Sequence, residues 1–104
     1  LFGTRQALRR NQEEPPHEYA DALLLIAVAE EKNLDKAAVR LALSPEKIVQ
    51  RIRTLEQELG LVLFTEYPSR ILLSAAGMAF LPHAHGILME FELAKQNVRR
   101  VAEM

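Results

Sequence analysis

The feature that most restricts the fold of this chain is a series of apolar, acidic and glycine positions in its middle third. The series consists of Leu55, Glu56, Leu59, Gly60, Leu63 and Phe64, and it follows Ala37, Ala38 and Ser44. This spacing predicts two short helices and a following hairpin. The layout is that of a helix-turn-helix with a wing, a mainly α fold with three helices and a two-stranded sheet.

A compact helical unit of this kind seldom forms the cleft that an enzyme needs. It carries one exposed helix on a rigid support, which is how side chains reach the major groove of DNA. The sequence has no nucleophile–base pair, glycine-rich phosphate loop or metal-ligand spacing. His83 and His85 are two residues apart, so a helix places them on different sides. We therefore expect a DNA-binding protein that is not an enzyme and uses no cofactor or metal.

Length and composition limit the number of domains and the cellular compartment. A chain of 104 residues that is 49% hydrophobic can bury one core and is too short for two. The absence of cysteine excludes disulfides and fits a reducing cytosol. The apolar run at residues 23–28 is shorter than the roughly 20 residues that cross a bilayer, and we expect no signal peptide. We expect a cytoplasmic protein without a membrane partner.

The charge pattern argues for a local DNA contact only. The formal net charge is -1, whereas nucleic-acid-binding domains are usually basic. Between residues 36 and 70, the basic residues are Lys36, Arg40, Lys47, Arg51, Arg53 and Arg70, and the acidic ones are Glu46, Glu56, Glu58 and Glu66. Any DNA contact must therefore come from a small patch within this stretch.

Three segments follow from the pattern along the chain. Residues 1–16 are expected to be an N-terminal extension, because their polar, arginine-bearing stretch stops at two prolines, where a helix cannot continue. Residues 17–74 are predicted to form the winged helix-turn-helix, with an apolar support helix at 18–31. Residues 75–104 are predicted to form a linker or dimerisation helix. Since residue 1 is not methionine, we expect the chain to be cut from a longer protein.

Helix ends are marked by capping residues. Asn33 is placed to cap a helix at 34–41. Ser44 is placed to cap a third helix, with Pro45 at its first position and Gly60 just past its end. The apolar stripe predicted to be buried on this third helix is Ile48, Ile52, Leu55 and Leu59. The positions predicted to point outward are Glu46, Val49, Gln50, Arg53 and Gln57.

The last helix carries a long apolar seam. A turn at Pro68 and Ser69 separates two short strands, and Ser74 is placed to cap the helix that follows. From Gly77 onward the seam residues are Phe80, Ala84, Ile87, Phe91, Ala94, Val98 and Val101, at alternating spacings of three and four. A stripe of this length exceeds what a small domain can bury. We therefore predict that these residues form a homodimer interface, with an antiparallel pairing as a hypothesis.

These positions resemble a known family. The matching residues are Ala37, Ala38, Leu41, Ser44, Ile52, Leu55, Glu56, Leu59, Gly60, Leu63, Phe64, Arg70, Leu73, Ser74 and Gly77. In order and spacing they resemble the N-terminal DNA-binding domain of LysR-type transcriptional regulators, over about residues 19–101. The resemblance implies a bacterial-type regulator with a linker helix through which two subunits dimerise. It also implies an inducer-binding domain beyond the linker helix, so a small-molecule inducer is expected only if such a domain follows.

The chain departs from the family where bases are read. The family usually has Gln-Pro after the capping serine, then a serine and an arginine in the next turn. Here those positions are Pro45, Glu46, Val49 and Gln50, and Glu66 replaces the usual wing arginine. Phosphates repel a carboxylate, so Glu46 opposes binding unless it accepts from a cytosine amino group. We therefore expect altered sequence recognition.

Two interpretations remain open. The first is a transcription-regulator domain that binds double-stranded DNA as a dimer, with the helix at 45–59 in the major groove. Its predicted DNA-binding residues are Pro45, Glu46, Lys47, Val49, Gln50, Arg51, Arg53 and Arg70. The alternative is a degenerate winged-helix module, kept for dimerisation or protein–protein interaction with little sequence-specific DNA binding.

Overall fold

The computed structural model describes residues 17–103, and the predicted N-terminal extension at 1–16 lies outside them. The elements are α1 (His17–Glu31), α2 (Leu34–Leu41), α3 (Pro45–Leu59), β1 (Phe64–Tyr67), β2 (Arg70–Leu73) and α4 (Ala75–Glu103). The predicted fold class is confirmed: three helices and a two-stranded wing precede one long helix.

Helix α1 is the centre of the core. Leu25 and Val28 are fully buried, and the neighbouring apolar positions between 22 and 28 are buried except Leu23. The helix packs most extensively against α4 and α2. This burial on several sides explains why its sequence is an almost unbroken apolar run. No helix between residues 17 and 103 is long and apolar enough to cross a membrane.

The start of the helix-turn-helix is set by local hydrogen bonds. The side chain of Asn33 accepts from the backbone N–H of Lys36 at 2.9 Å, as predicted for the cap of α2. Ala37 and Ala38 are buried, which lets the neighbouring helices approach closely. Ala42 ends the helix in the left-handed conformation with φ 56°. These contacts fix the turn that leads into α3.

The predicted ends of α3 are confirmed. The Oγ atom of Ser44 accepts from the N–H of Lys47 at 3.2 Å, and Pro45 occupies the first turn, where a missing N–H leaves no bond unmade. Gly60 ends the helix with φ 68° and donates its N–H to the carbonyl of Glu56. A left-handed φ of this size is available to glycine without steric cost.

The buried stripe of α3 is one residue shorter than predicted. Ile48, Ile52 and Leu55 are buried against the core. Leu59 was expected to continue the stripe, but its side chain is 39% exposed. It lies in the last turn, and the residues on both sides of it in the sequence are exposed as well. The prediction of a buried Leu59 is therefore wrong.

The wing is the predicted hairpin. Strands β1 and β2 pair antiparallel, with Phe64 opposite Leu73 and Tyr67 opposite Arg70 across the turn. Ile71 is buried and donates its N–H to the carbonyl of Lys32 at 3.1 Å. This bond joins the wing to the turn between α1 and α2, so the hairpin is held from outside as well as by its own pairing.

The seam of α4 has two different environments. Ala84 is fully buried in the core of a single chain, and Phe80 and Ile87 pack against that core. The ring of Phe91 lies 4.5 Å from the ring of Tyr19 on α1, measured between centroids. The prediction that Ala84 contacts a second chain is therefore corrected, because Ala84 is already fully buried within its own chain.

Beyond Phe91 the seam is exposed. Ala94, Val98 and Val101 lie on the surface, with Val98 69% and Val101 71% exposed. The helix continues through Pro82, which lies on its solvent side. Periodicity alone does not distinguish the two halves of the seam. The structure shows that the half up to Phe91 packs on the domain and that the half after Phe91 is exposed.

Candidate nucleic-acid interface

The exposed side of α3 forms one open surface, which we call the recognition face. Its residues are Pro45, Glu46, Val49, Gln50, Arg53, Thr54 and Gln57. The face is opposite the buried stripe, so the core fixes the orientation of the helix while these side chains meet solvent. The structure thus brings five of the eight predicted DNA-binding residues together on one surface.

Within the recognition face, Glu46, Gln50 and Arg53 follow one another at spacings of four and three residues. This spacing lines the three side chains up along the helix. Among residues 17–103, none of the three side chains has a hydrogen bond or ion pair with another side chain. Their donors and acceptors are therefore available to a ligand.

The wing lies beside the first turn of α3. Pro45, Tyr67 and Arg70 line a common groove together with Asp35 and Glu66. The guanidinium of Arg70 lies 5.7 Å from the centroid of the Tyr67 ring, a distance at which a cation–π contact orients the side chain. The groove therefore mixes one cation with two carboxylates and is not a uniformly basic patch.

The other cations of the helix-turn-helix differ in availability. Lys47 and Arg51 are exposed on the flank of α3, outside the recognition face. Arg40 forms ion pairs with Glu30 at 2.8 Å and Glu31 at 3.2 Å. Hydrogen bonds to these two carboxylates raise the pKa of Arg40. Arg40 therefore adds little to the positive potential of this region.

A hydrogen-bonded junction joins α3, the wing and α4. Glu56 Oε2 accepts from the backbone N–H groups of Leu63 at 2.7 Å and Phe64 at 3.3 Å. Ser74 donates from its hydroxyl to the Val62 carbonyl at 2.6 Å and from its N–H to the Leu63 carbonyl at 2.8 Å. We call Glu56, residues 62–64, Ser74 and Gly77 the junction.

Gly77 completes the junction by close packing. A β-carbon at this position would overlap the carbonyl oxygen of Leu63 and the side chain of Leu73. Its N–H donates to the Ser74 hydroxyl at 3.1 Å, which confirms Ser74 as the cap of α4. The sequence marks Glu56 as a residue that matches the family but does not predict its two backbone partners. The available signal was an acidic residue directly after a buried leucine.

Among residues 17–103, no three His, Asp or Glu side chains come together in a way that could hold a metal ion. His83 and His85 are both exposed on α4.

The chain is similar to curated transcriptional regulators. It is 47% identical over 73 residues to the HTH-type transcriptional regulator ShiR of Corynebacterium glutamicum (strain R), covering 70% of this chain and 25% of that protein. It is 40% identical over 82 residues to the HTH-type transcriptional regulator ClcR of Pseudomonas putida, covering 79% and 28%. The chain thus matches about a quarter of the length of these relatives.

Solved structures share the fold. The crystal structure of the CbnR DNA-binding domain in complex with DNA superposes with a TM-score of 0.77 at 37% identity, covering 81% of this chain and 97% of that one. A complex of the BenM DNA-binding domain with benA site 1 DNA gives a TM-score of 0.75 at 25% identity, covering 81% and 94%.

The family assignment rests on more than half of the chain. The sequence model of the family described as bacterial regulatory helix-turn-helix proteins, lysR family, matches residues 20–78. That range contains the recognition face, the wing and the junction, including Gly77. The chain therefore belongs to the LysR family of bacterial regulatory helix-turn-helix proteins.

Proposed function

We propose that this chain is the DNA-binding part of a LysR-type transcriptional regulator and that α3 enters the major groove of double-stranded DNA. The observation that carries the proposal is the recognition face. Glu46, Gln50 and Arg53 form a row of polar side chains that no other described side chain engages, on a helix whose opposite side is anchored in the core. The similarity to a domain solved with DNA supports the same conclusion.

The side chains divide into base readers and phosphate contacts. Gln50 is suited to adenine and Arg53 to guanine, while the half-buried Val49 offers a methyl contact to thymine. Lys47 and Arg51 lie on the flank of the helix, where the strand backbone of a bound duplex would pass. Arg70 extends the contact from the wing, and Pro45 lines the groove between wing and helix.

We further propose that residues 17–74 bind DNA and that the helix at 75–104 joins two chains. The exposed second half of the seam, Ala94, Val98 and Val101, supplies the apolar surface for a homodimer. A two-fold dimer presents two copies of α3 to two related half-sites. Binding both half-sites together raises the overall affinity well above that of one domain.

Salt dependence tests the DNA-binding proposal against the degenerate alternative. We expect the affinity for a random-sequence duplex to fall steeply with salt, because cations on the protein displace condensed counterions. Arg53→Ala should reduce the slope of log K against log salt by about one unit if this side chain meets a phosphate, and should weaken sequence selectivity if it meets guanine. Arg100→Ala removes the same charge from the far end of α4 and is the control.

A flat salt dependence in the unmodified chain would contradict DNA binding and favour a protein-interaction module. Equal losses in Arg53→Ala and Arg100→Ala would contradict the assignment to the recognition face. The duplex should also be preferred to the corresponding single strand, because no aromatic side chain lies on the recognition face to stack bases.

Sedimentation tests the dimer separately. Val98→Lys with Val101→Lys would place two ammonium groups in the proposed interface, and both positions are exposed in one chain, so the domain should remain folded. We expect a monomer with unchanged thermal stability of the domain and an affinity for two half-sites lowered about 100-fold. Ile87→Lys is a contrasting variant, because Ile87 packs against the core and its replacement should also destabilise the fold.

A further inference from the structure

The first turn of α3 carries a carboxylate on the surface proposed to meet DNA. Glu46 is exposed and begins the row that continues with Gln50 and Arg53. Residues near the start of a recognition helix are the ones that reach base edges in the major groove. If α3 enters the groove as proposed, Glu46 therefore meets bases.

The Glu46 carboxylate has no hydrogen-bond or ion-pair partner in the described part of the chain. No lysine, arginine or backbone N–H within residues 17–103 donates to it. An ionised carboxylate is an acceptor only, so it needs a donor from outside the chain.

The chemistry of duplex DNA limits the possible donors. Phosphates repel a carboxylate, so Glu46 does not bind the backbone of either DNA strand. In the major groove the only hydrogen-bond donors are the amino groups of cytosine and adenine. The adenine amino group lies beside the N7 acceptor, which repels the second carboxylate oxygen, whereas the cytosine amino group has a C–H neighbour on that side. Cytosine is therefore the better partner.

We propose that Glu46 is a specificity-determining residue that accepts a hydrogen bond from the exocyclic amino group of one cytosine in each half-site. The proposal rests on the proposed function, since it requires α3 in the major groove. The same carboxylate finds no donor on the base when guanine or thymine occupies that strand position, because guanine presents N7 and O6 and thymine presents O4 and a methyl group. Glu46 thus selects cytosine by attraction and rejects other bases by repulsion, at the expense of nonspecific affinity.

Selection of bound duplexes from a random pool tests this role. The chain is compared with Glu46→Gln, which keeps the size of the side chain and removes its charge. Glu90→Gln is the matched control, because Glu90 is exposed on α4 away from the recognition face and loses the same charge. Affinities are then measured for the selected site and for the site in which the predicted cytosine pair is replaced by a thymine pair.

We expect one cytosine position per half-site in the unmodified chain and in Glu90→Gln. Replacement of that cytosine should weaken binding about fivefold or more. In Glu46→Gln the preference at this position alone should be lost or move to adenine, which pairs with a glutamine amide, and affinity for nonspecific duplex should rise.

Two outcomes would overturn the proposal and are distinguishable. If Glu46→Gln selects the same sequence and merely binds all duplexes more tightly, Glu46 is a repulsive surface charge and not a base reader, while DNA binding by the domain stands. If the unmodified chain binds no duplex, the proposed function fails and the role of Glu46 fails with it.

Discussion

The junction adjoins the C-terminal end of the recognition face, since Glu56 lines a groove with Arg53 and Gln57, yet the two regions use their polar groups differently. At the junction, the Glu56 carboxylate and the Ser74 hydroxyl each bind backbone groups of the 62–64 segment. On the recognition face, Glu46 and Arg53 have no partner among the described residues. The first set of groups stabilises the fold, whereas the second set is available for binding.

This difference predicts that substitutions at the junction change stability, whereas substitutions on the recognition face change binding. A substitution at the junction leaves a buried backbone group without a partner or forces atoms to overlap, so it should lower the free energy of unfolding. A substitution on the recognition face exchanges one hydrated side chain for another, so it should change binding while stability stays within about 0.5 kcal/mol.

The largest expected effect is at Gly77. Gly77→Ala places a β-carbon against the Leu63 carbonyl, a backbone atom that cannot rotate away. We expect a loss of about 3 kcal/mol, the upper range for overpacking, measured by urea unfolding. Gly86→Ala in the same helix is the control, since a β-carbon there meets nothing within 4 Å. Helix propensity predicts that Gly86→Ala stabilises by about 1 kcal/mol. A Gly77→Ala chain as stable as the unmodified one would contradict the close contact at the junction.

The next effect is at Glu56. Glu56→Ala removes the acceptor of two N–H groups, one of them on the fully buried Leu63. We expect a loss of about 2 kcal/mol in unfolding free energy. Glu56→Gln keeps an acceptor and should lose less. Glu46→Gln, in the first turn of the same helix, should stay within about 0.5 kcal/mol of the unmodified chain. Equal effects of the Glu56→Gln and Glu46→Gln changes on stability would remove the distinction between the two regions.

A smaller effect is expected in the wing. Glu66 is exposed and lines the groove that also contains Arg70. Glu66→Arg should strengthen binding to nonspecific duplex by about 1 kcal/mol, because a repulsion is removed and a charged donor is added. Thermal unfolding should hardly change. Weaker binding by Glu66→Arg in a titration of labelled duplex would place the wing away from the DNA backbone.

The smallest effect concerns an exposed ion pair on α4. A hydrogen bond from Lys95, at 2.9 Å, lowers the pKa of Glu92 below its ordinary value of 4.5. Because the folded pKa is the lower one, the pair stabilises the fold above pH 4.5, and this contribution is lost as pH falls through the folded value. Melting temperatures recorded across this pH range should show a slight loss that is absent in Glu92→Gln. A loss as large as that in Glu56→Ala would contradict the view that exposed pairs contribute little.

Local chemistry made the helix ends predictable. Asn33, Ser44 and Gly60 act within one turn of their own position, so sequence alone was sufficient to place them. The junction was not predictable because its bonds join residues 7 to 12 positions apart, and they form only once the wing folds back onto α3. Its geometry depends on tertiary packing.

Periodicity predicted which side of each helix is apolar, but not what covers it. Ala84 and Val98 belong to one seam, yet the first is buried in the core of its own chain and the second is exposed. On α3 the same reasoning identified the outward positions, because helix geometry alone decides them. What those positions bind depends on individual side chains such as Glu46, which departs from the pattern typical of the family.

The central claim is that the recognition face of α3 contacts double-stranded DNA. Titration of the 15N-labelled chain with a duplex, followed by amide NMR, tests it most directly. Our account predicts that the largest changes fall on the exposed positions of α3 between residues 46 and 57 and on the wing near Arg70, with small changes at the junction and at residues 92–103. Changes confined to α4, or no changes at duplex concentrations that saturate binding, would contradict it.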